Sequence, residues 1–147
     1  MAGYIESNLV KDEQIIERAQ VSWWSQTAKI FLAIICLLLT FSLPIFIVLG
    51  ALLIAWAIIE VKSTELALTN KRVIAKFGFI RRGIVDVRLG KIESVAFDQS
   101  ILGRIFNFGD VLVSGAGNST PIPNISNPNS FKNRVNNYLA DIEENKA

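Results

Sequence analysis

Four basic residues in two adjacent pairs are the side chains of this sequence best suited to chemistry, and that chemistry is the binding of anions. Two apolar residues directly precede the second pair. Lysine and arginine donate charge-assisted hydrogen bonds to phosphate oxygens, and each gains about 1 kcal/mol beside an anionic leaflet. The sequence therefore predicts a lipid-headgroup surface made of Lys71, Arg72, Phe79, Ile80, Arg81 and Arg82. The alternative is a set of ordinary solvated turn charges, with Phe79 and Ile80 packed on the domain.

The composition excludes most catalytic and metal chemistry. The sequence has no histidine, and its one cysteine, Cys36, lies in a long apolar stretch. Intrachain disulfides and Ser-His or Cys-His catalysis are therefore excluded, and zinc, haem and iron–sulfur sites lack their usual ligands. The spacing of the remaining polar residues suggests neither a serine–lysine dyad nor a carboxylate pair. We therefore predict a protein that is not an enzyme, with no catalytic residue, no metal site and no cofactor.

A charge-free stretch from Ile30 to Ile59 dominates the first half of the chain. As one helix it would extend about 45 Å, well beyond a hydrocarbon core of about 30 Å. Pro44 lies near its middle, removes a backbone donor and disfavours helix at Leu43. The pattern predicts a transmembrane helical hairpin over residues 23–61. One long, kinked and tilted span is the alternative that the residues leave open.

The residues flanking this stretch predict its orientation. Folding the stretch about residue 42 brings Trp23, Trp24 and Trp56 to one interface, where tryptophan is favoured. Basic residues close to a span stay cytoplasmic, and six follow Glu60 within a short distance: Lys62, Lys71, Arg72, Lys76, Arg81 and Arg82. We therefore expect a protein integral to the cytoplasmic membrane, with residues 1–22 as an N-terminal cytoplasmic segment and the domain 62–147 also facing the cytoplasm.

Residues 62–147 alternate between apolar and polar side chains, which is typical of half-buried antiparallel strands. The alternation predicts strands around residues 66–68, 73–77, 85–89, 92–98 and 111–113, with turns at 69–71 and 78–83. Val87 and Phe97 are predicted core residues. A short edge strand is predicted over 119–124, limited by Pro121 and Pro123, and residues 14–21 provide a possible extra strand before the apolar stretch. Residues 101–106 are spaced like a short helical turn.

The last segment predicts an amphipathic helix. Asn127 is a good N-cap and Pro128 suits the first helical position. Apolar residues then recur at spacings of three and four, namely Phe131, Val135, Tyr138, Leu139 and Ile142. Such a stripe packs on a sheet. The predicted fold class is an α+β membrane protein, in which a transmembrane helical hairpin is followed by an antiparallel barrel or rolled sheet capped by a C-terminal helix.

Four short segments carry a resemblance to a known family. They are Leu68–Ile74, Gly78–Arg82, Lys91–Val95 and Gln99–Arg104, and their order and spacing resemble those of the bacterial pleckstrin-homology (PH) domain membrane proteins of the YdbS/YdbT-like kind. The resemblance implies a PH-like barrel close to apolar spans. That fold hosts lipid binding, protein binding and oligomer formation, so the resemblance implies a superfold and not one activity.

The function classes can be ranked from these features. The favoured one is a non-catalytic interaction or scaffold module at the inner face of the membrane, which binds a partner protein or a second copy of itself. The alternative is a sensor of anionic phospholipids that uses the basic turns. A membrane-bound enzyme is disfavoured. Nucleic acid is not an expected partner, because residues 66–110 carry only eight basic against four acidic residues and lie beside a membrane.

Overall fold

The structure is a computed structural model that describes residues 3–78, 82–115 and 117–147. Within these ranges the chain forms seven strands and five α-helices. The strands are β1 Ile15–Gln20, β2 Glu65–Thr69, β3 Arg72–Phe77, β4 Gly83–Arg88, β5 Ile92–Asp98, β6 Phe108–Gly115 and β7 Asn118–Ser126. The helices are α1 Tyr4–Ser7, α2 Thr27–Leu39, α3 Ile45–Ser63, α4 Ile101–Phe106 and α5 Pro128–Lys146, and short 3-10 turns occupy Trp23–Gln26 and Leu89–Lys91.

The strands form two antiparallel sheets that pack around one core. The first sheet has the order β1-β2-β3-β4 and the second the order β5-β6-β7. Val21 forms an isolated bridge with Ile125, and the Ser22 amide donates to the Asn124 carbonyl at 2.8 Å, so the two sheets meet at the β1 and β7 edges. Helix α5 closes the core. The α+β class, the antiparallel strands and the C-terminal helix are confirmed.

The apolar pattern of the sequence explains which side chains form this core. Leu66, Leu68 and Val73 are fully buried between the sheets, as their alternation along β2 and β3 predicts. Along α5, Phe131 and Val135 are buried on the face that packs against the sheets. The alternation along β2 and β3 and the helical spacing along α5 therefore both predict correctly which side chains face the core.

Phe97 and Val87 lie at the margin of the core. Both lie on the predicted inner face of their strands, and Val87 packs against the core, but each is only half-buried. Phe97 belongs to β5, an edge strand of the second sheet, and its ring lies under the Nζ of Lys132, 5.5 Å from the ring centroid. The predicted strand phase is right, and the half burial follows from the edge strands, which have a neighbouring strand on one side only.

The first and the last strand compare differently with the sequence prediction. The expected extra strand before the apolar stretch is confirmed as β1, whereas the last strand is longer than expected. Strand β7 runs over nine residues, Asn118–Ser126, so the expected limit at Pro121 and Pro123 is wrong. Pro121 is tolerated because β7 is an edge strand of its sheet, and proline, which lacks an amide donor, is found on edge strands.

The pairing of β1 with β2 determines how the apolar stretch is connected. Gln20 lies opposite Glu65 in the antiparallel register, although α2 and α3 separate them in sequence. Both ends of the apolar stretch therefore lie side by side, so the stretch folds back on itself as two helices. That these helices cross a membrane stays a prediction. The sheet also includes residues 15–20, so the domain begins before the apolar stretch. The predicted division of the chain into residues 1–22, 23–61 and 62–147 concerns membrane topology and stays a prediction.

Helices α2 and α3 pack against each other as a helical hairpin. Small residues lie at their contact: Ala33, Gly50 and Ala57 are buried there, and a Cβ on Gly50 would lie 3.3 Å from the Ala33 carbonyl oxygen. Close approach of this kind is typical of helices in membranes. Among the described residues, α3 has the length and composition to cross a membrane, whereas the apolar helix Trp23–Leu39 is shorter.

The hairpin register corrects the predicted level of the tryptophans. An ion pair joins Lys29 of α2 to Glu60 of α3 near the base of the hairpin. Trp56 lies four residues from Glu60 toward the hairpin tip, about 6 Å at the helical rise, whereas Trp23 and Trp24 precede Lys29 on the domain side. The three tryptophans therefore occupy two levels, because the two arms are unequal in length.

Truncating two phenylalanines tests this description of the core. Phe131 is 2% exposed, so Phe131→Ala should lower the free energy of unfolding by about 3–5 kcal/mol. The matched change Phe97→Ala should cost about 1 kcal/mol, because its ring is only half-buried. Thermal unfolding of the full chain in mild detergent, followed by near-ultraviolet circular dichroism, compares the two. Equal losses would contradict the assigned burial.

Candidate functional site

The register of the first sheet gives the domain two distinct ends. At one end Glu65 lies beside Gln20 and opposite Lys76, and the chain passes directly from there into the helical hairpin. Gly78, which follows β3, and Arg82, which precedes β4, lie at this same end, because β3 runs antiparallel to β2. The turn between β2 and β3, residues 70–71, lies at the opposite end.

The second sheet shares this polarity. The bridge between Val21 and Ile125 fixes its direction, and the pairing of Asp98 with Asp110 places the β5–β6 connection at the end that carries the hairpin. Helix α4 lies in that connection. We define the proximal end as residues 21–26, 78, 82, 99–107 and 126–128, and the distal end as residues 70–71 and 89–91.

Of the second basic turn, the structure describes Gly78 and Arg82. Arg82 is exposed at the proximal end, directly before β4. Phe79, Ile80 and Arg81, which the sequence analysis grouped with Arg82, lie outside the described residues. The lipid contact predicted for these four residues stays a prediction.

The first basic turn lies at the distal end. Lys71 is exposed, and its Nζ donates to the Lys11 carbonyl at 2.6 Å. Its own carbonyl accepts from the Leu89 amide at 3.1 Å. The length of β3 separates Lys71 from Arg82, about 20 Å for six residues at the strand rise. The structure therefore does not bring Lys71 and Arg82 together.

Arg72 belongs to an internal ion-pair network. Its Nε and Nη2 donate to both carboxylate oxygens of Glu13, at 2.9 and 3.0 Å. Its Nη1 donates to Asp86 at 2.5 Å, and Nη2 also donates to the Asn8 carbonyl at 2.8 Å. These contacts tie the segment before β1 to β3 and β4. The lipid contact predicted for Arg72 stays a prediction, but the expectation of an ordinary solvated turn charge is wrong.

Glu13 is the buried centre of this network. Its side chain is 0% exposed, and it also accepts from the Thr69 hydroxyl and the Val10 amide, both at 2.7 Å. The hydrogen bond from Arg72 is the main cause that lowers the pKa of Glu13 to about 2, against burial, which raises it. In turn, the pKa of Arg72 is raised, chiefly by its hydrogen bond to Glu13. Both groups are therefore charged at neutral pH.

A groove opens beside β1 at the proximal end. Its volume is about 470 Å³. One wall is formed by β1 and the turn that follows it, and the other by the start of α5. The lining residues include Gln20, Trp24, Ser126, Ser130 and Phe131. Strand β1 is an edge strand of the first sheet, so its outer side faces this groove. The sequence analysis missed the groove, because its two walls are more than a hundred residues apart in the chain.

An exposed aromatic stack was also missed. The rings of Trp24 and Phe106 stack with centroids 4.6 Å apart and planes 10° from parallel. This contact joins α4 to the turn that begins the hairpin. Helical spacing in residues 101–106 signalled the helix, but nothing in the local sequence indicated what it would pack on.

Comparison with known proteins gives one match. A family model described as "Bacterial PH domain" matches residues 16–139, a range that begins in β1, includes the helical hairpin and ends in α5. No curated protein and no solved structure matches the chain.

Substitutions at the adjacent residues Arg72 and Lys71 test the ion-pair network. Arg72→Gln leaves the Glu13 carboxylate buried without its partner, so it should lower the free energy of unfolding by about 3–5 kcal/mol. Lys71→Gln removes an exposed charge and should change it by less than about 0.5 kcal/mol. Thermal unfolding of the full chain in mild detergent measures both. Similar small losses in the two variants would show that the network contributes little to stability.

Proposed function

The chain belongs to the bacterial PH domain family, and on that basis we propose that it is a non-catalytic interaction module anchored to the inner face of the cytoplasmic membrane. In this proposal the helical hairpin is the transmembrane anchor, and the two-sheet domain holds a partner protein, or a second copy of the chain, at the membrane surface. PH domains are generally interaction modules, so the family supports the non-catalytic class.

The observation that carries the proposal is the pairing of β1 with β2 around the apolar hairpin. Gln20 and Glu65 are strand partners, so the hairpin leaves and rejoins the domain at one point. The hairpin projects away from the sheets, with Phe31, Leu38, Phe41 and Ile45 exposed along it. Exposed apolar surface of this extent marks a site that is covered by a partner or a membrane, and α3 alone extends about 28 Å over its 19 residues.

The charges at the base of the hairpin support the membrane assignment. Lys29 and Glu60 bound the charge-free stretch, and they pair with each other. Ionisable groups at the edge of a membrane segment cost less free energy when they are paired. The pair therefore joins the two helices at the base of the hairpin, where they meet the domain.

The groove beside β1 is the proposed place for a protein partner. An extended segment of a partner can add to an edge strand by main-chain hydrogen bonds, with pockets for alternate side chains. Strand β1 is an edge strand of the first sheet, and Trp24 and Phe131 provide apolar surface in the groove. This arrangement favours a protein segment as the bound partner of the module.

Binding of anionic lipid headgroups is the second candidate function. The observation that favours it is the exposed position of Arg82, directly before β4, at the end of the domain that carries the hairpin. Arginines there would lie at the level of an anionic leaflet, which attracts each basic residue by about 1 kcal/mol. The distal pair, Lys71 and Arg72, lies about 20 Å away along the strands, so the proximal turn is the stronger candidate.

Reporter fusions test the anchor. A reporter at Ala2 and a second one at Ala147 should both report the cytoplasm, because β1 and β2 pair on one side of the hairpin. The chain should also stay with membranes after alkaline extraction, as an integral protein does. Reporters in opposite compartments, or release of the chain by alkali, would contradict the proposal.

Lipid enrichment around the full chain tests the second candidate. In reconstituted vesicles, energy transfer from the native tryptophans to a labelled anionic lipid should exceed transfer to a labelled neutral lipid. Added salt should reduce the difference, since exposed charges are screened over about 8–10 Å at ordinary ionic strength. Arg81→Gln with Arg82→Gln should remove most of the enrichment.

Lys71→Gln is the matched control, since Lys71 is an exposed basic residue of the distal end. It should leave the enrichment unchanged. If the double variant of the proximal turn enriches anionic lipid as well as the parent does, the turn has no role in headgroup binding. If Lys71→Gln has the larger effect, the domain meets the membrane through its other end.

A further inference from the structure

Helix α4 exposes three large apolar side chains on one side. Ile101, Leu102 and Ile105 are 82%, 61% and 68% exposed, and their spacing places them on one face of the helix. The opposite side is packed, since Gly103 is buried and Phe106 is half-buried. An apolar cluster of this kind, beside the base of the hairpin, needs a cover in the working protein.

The helix is held rigidly in this orientation. Ser100 caps it by accepting from the Gly103 amide at 3.1 Å, and Asn107 ends it in the left-handed conformation with φ of 54°. The Gln99 side chain donates to the Phe108 carbonyl at 3.1 Å. A Cβ on Gly103 would lie 2.5 Å from the same carbonyl oxygen, so only glycine permits this close packing. The three apolar side chains therefore point outward because the backbone is fixed on the other side.

The exposed face continues the apolar surface of the hairpin. Phe106 stacks on Trp24, and Trp24 lies three residues before the start of α2 while remaining more than half exposed. From α4 the apolar surface passes over this stack to the hairpin. Arg104 is exposed on the same helix, and a long basic side chain beside apolar ones is suited to the boundary between acyl chains and phosphates.

We propose that α4 is a second membrane contact, which inserts Ile101, Leu102 and Ile105 into the interfacial layer of the leaflet next to the hairpin. An amphipathic helix of this type lies about 5–10 Å into the headgroup and acyl boundary. Together with the hairpin it fixes the tilt of the domain, so that the proximal end faces the lipid and the distal end faces the cytoplasm. This inference rests on the membrane anchor proposed above.

A lipid surface fits this face better than a second copy of the chain. A stable protein interface buries about 800 Å² on each partner, and three aliphatic side chains supply only a part of that area. Lipid needs no shape-complementary partner and accepts an apolar strip flanked by a basic residue. Continuity with the hairpin surface points to the same lipid that surrounds the hairpin.

Single cysteines in the full chain test the depth of α4. In a Cys36→Ala background, Leu102→Cys reports α4, Phe41→Cys reports the exposed hairpin tip, and Gly90→Cys reports the distal end, where an added side chain meets open space. Each variant carries a polarity-sensitive dye in vesicles that contain a spin-labelled lipid. The dye at Leu102 should be quenched by this lipid about twofold more than the dye at Gly90, and should be protected from aqueous iodide.

The three positions separate the possible failures. Quenching by lipid at Phe41 but not at Leu102 would overturn the α4 contact and leave the membrane anchor standing. Exposure to iodide at both Phe41 and Leu102 would overturn the anchor as well. Protection of the dye at Leu102 from both quenchers would mean that protein covers α4. Equal lipid quenching of the dyes at Gly90 and Leu102 would mean that the domain lies in another orientation. Either result overturns the inference.

A second set of variants tests whether the apolar face drives the insertion. Adding Ile101→Ser and Ile105→Ser to the Leu102→Cys chain should reduce lipid quenching to the level found at Gly90. The melting temperature should not change, because both side chains are exposed. Val10→Ser, at an exposed valine outside α4, is the matched control and should leave the quenching as it was. Unchanged quenching in the α4 variant would overturn the proposal.

Discussion

The antiparallel pairing of β1 with β2 is the constraint on which the rest of the structure depends. The two strands are separated in sequence by the whole apolar stretch, yet Gln20 and Glu65 are direct partners. The stretch must therefore turn back on itself, and Pro44, directly before α3, lies where it does so. The pairing also keeps the hairpin outside the core, since both arms leave from the end of the sheet. The polarity of the domain, with one end at the hairpin and one end away from it, follows from the same register.

The buried ion pair between Glu13 and Arg72 secures the other end of this arrangement. Strand β1 is an edge strand, and a pairing that depended on one ladder of main-chain hydrogen bonds would open easily. Arg72 bridges Glu13, Asp86 and the Asn8 carbonyl, so it ties the segment before β1 to β3 and β4. A buried pair contributes geometric specificity more reliably than net stability. Here that geometry holds the chain that precedes the hairpin to the sheet that follows it.

The proximal end gathers the features that bear on function. The base of the hairpin, the Trp24 and Phe106 stack, α4, Arg82 and the groove beside β1 all lie there. The distal end carries Lys71 and the Arg72 network. The features on which the proposed membrane role rests are therefore gathered at one end of the domain.

The sequence by itself determined the features that depend on neighbours in the chain. Alternation identified β2 and β3, the helical stripe identified α5, and the charge-free length with Pro44 identified the hairpin, because each pattern reflects a local choice of which side faces water. The tertiary structure decided the rest. A separation of 59 positions in sequence hides the pairing of Glu13 with Arg72. The register of β3 separates Lys71 from Arg82, although both belong to basic turns that look equivalent in sequence. The exposure of Ile101 depends on what covers the other side of α4. These outcomes follow from contacts between distant segments, and local patterns carry no information about which distant segments meet.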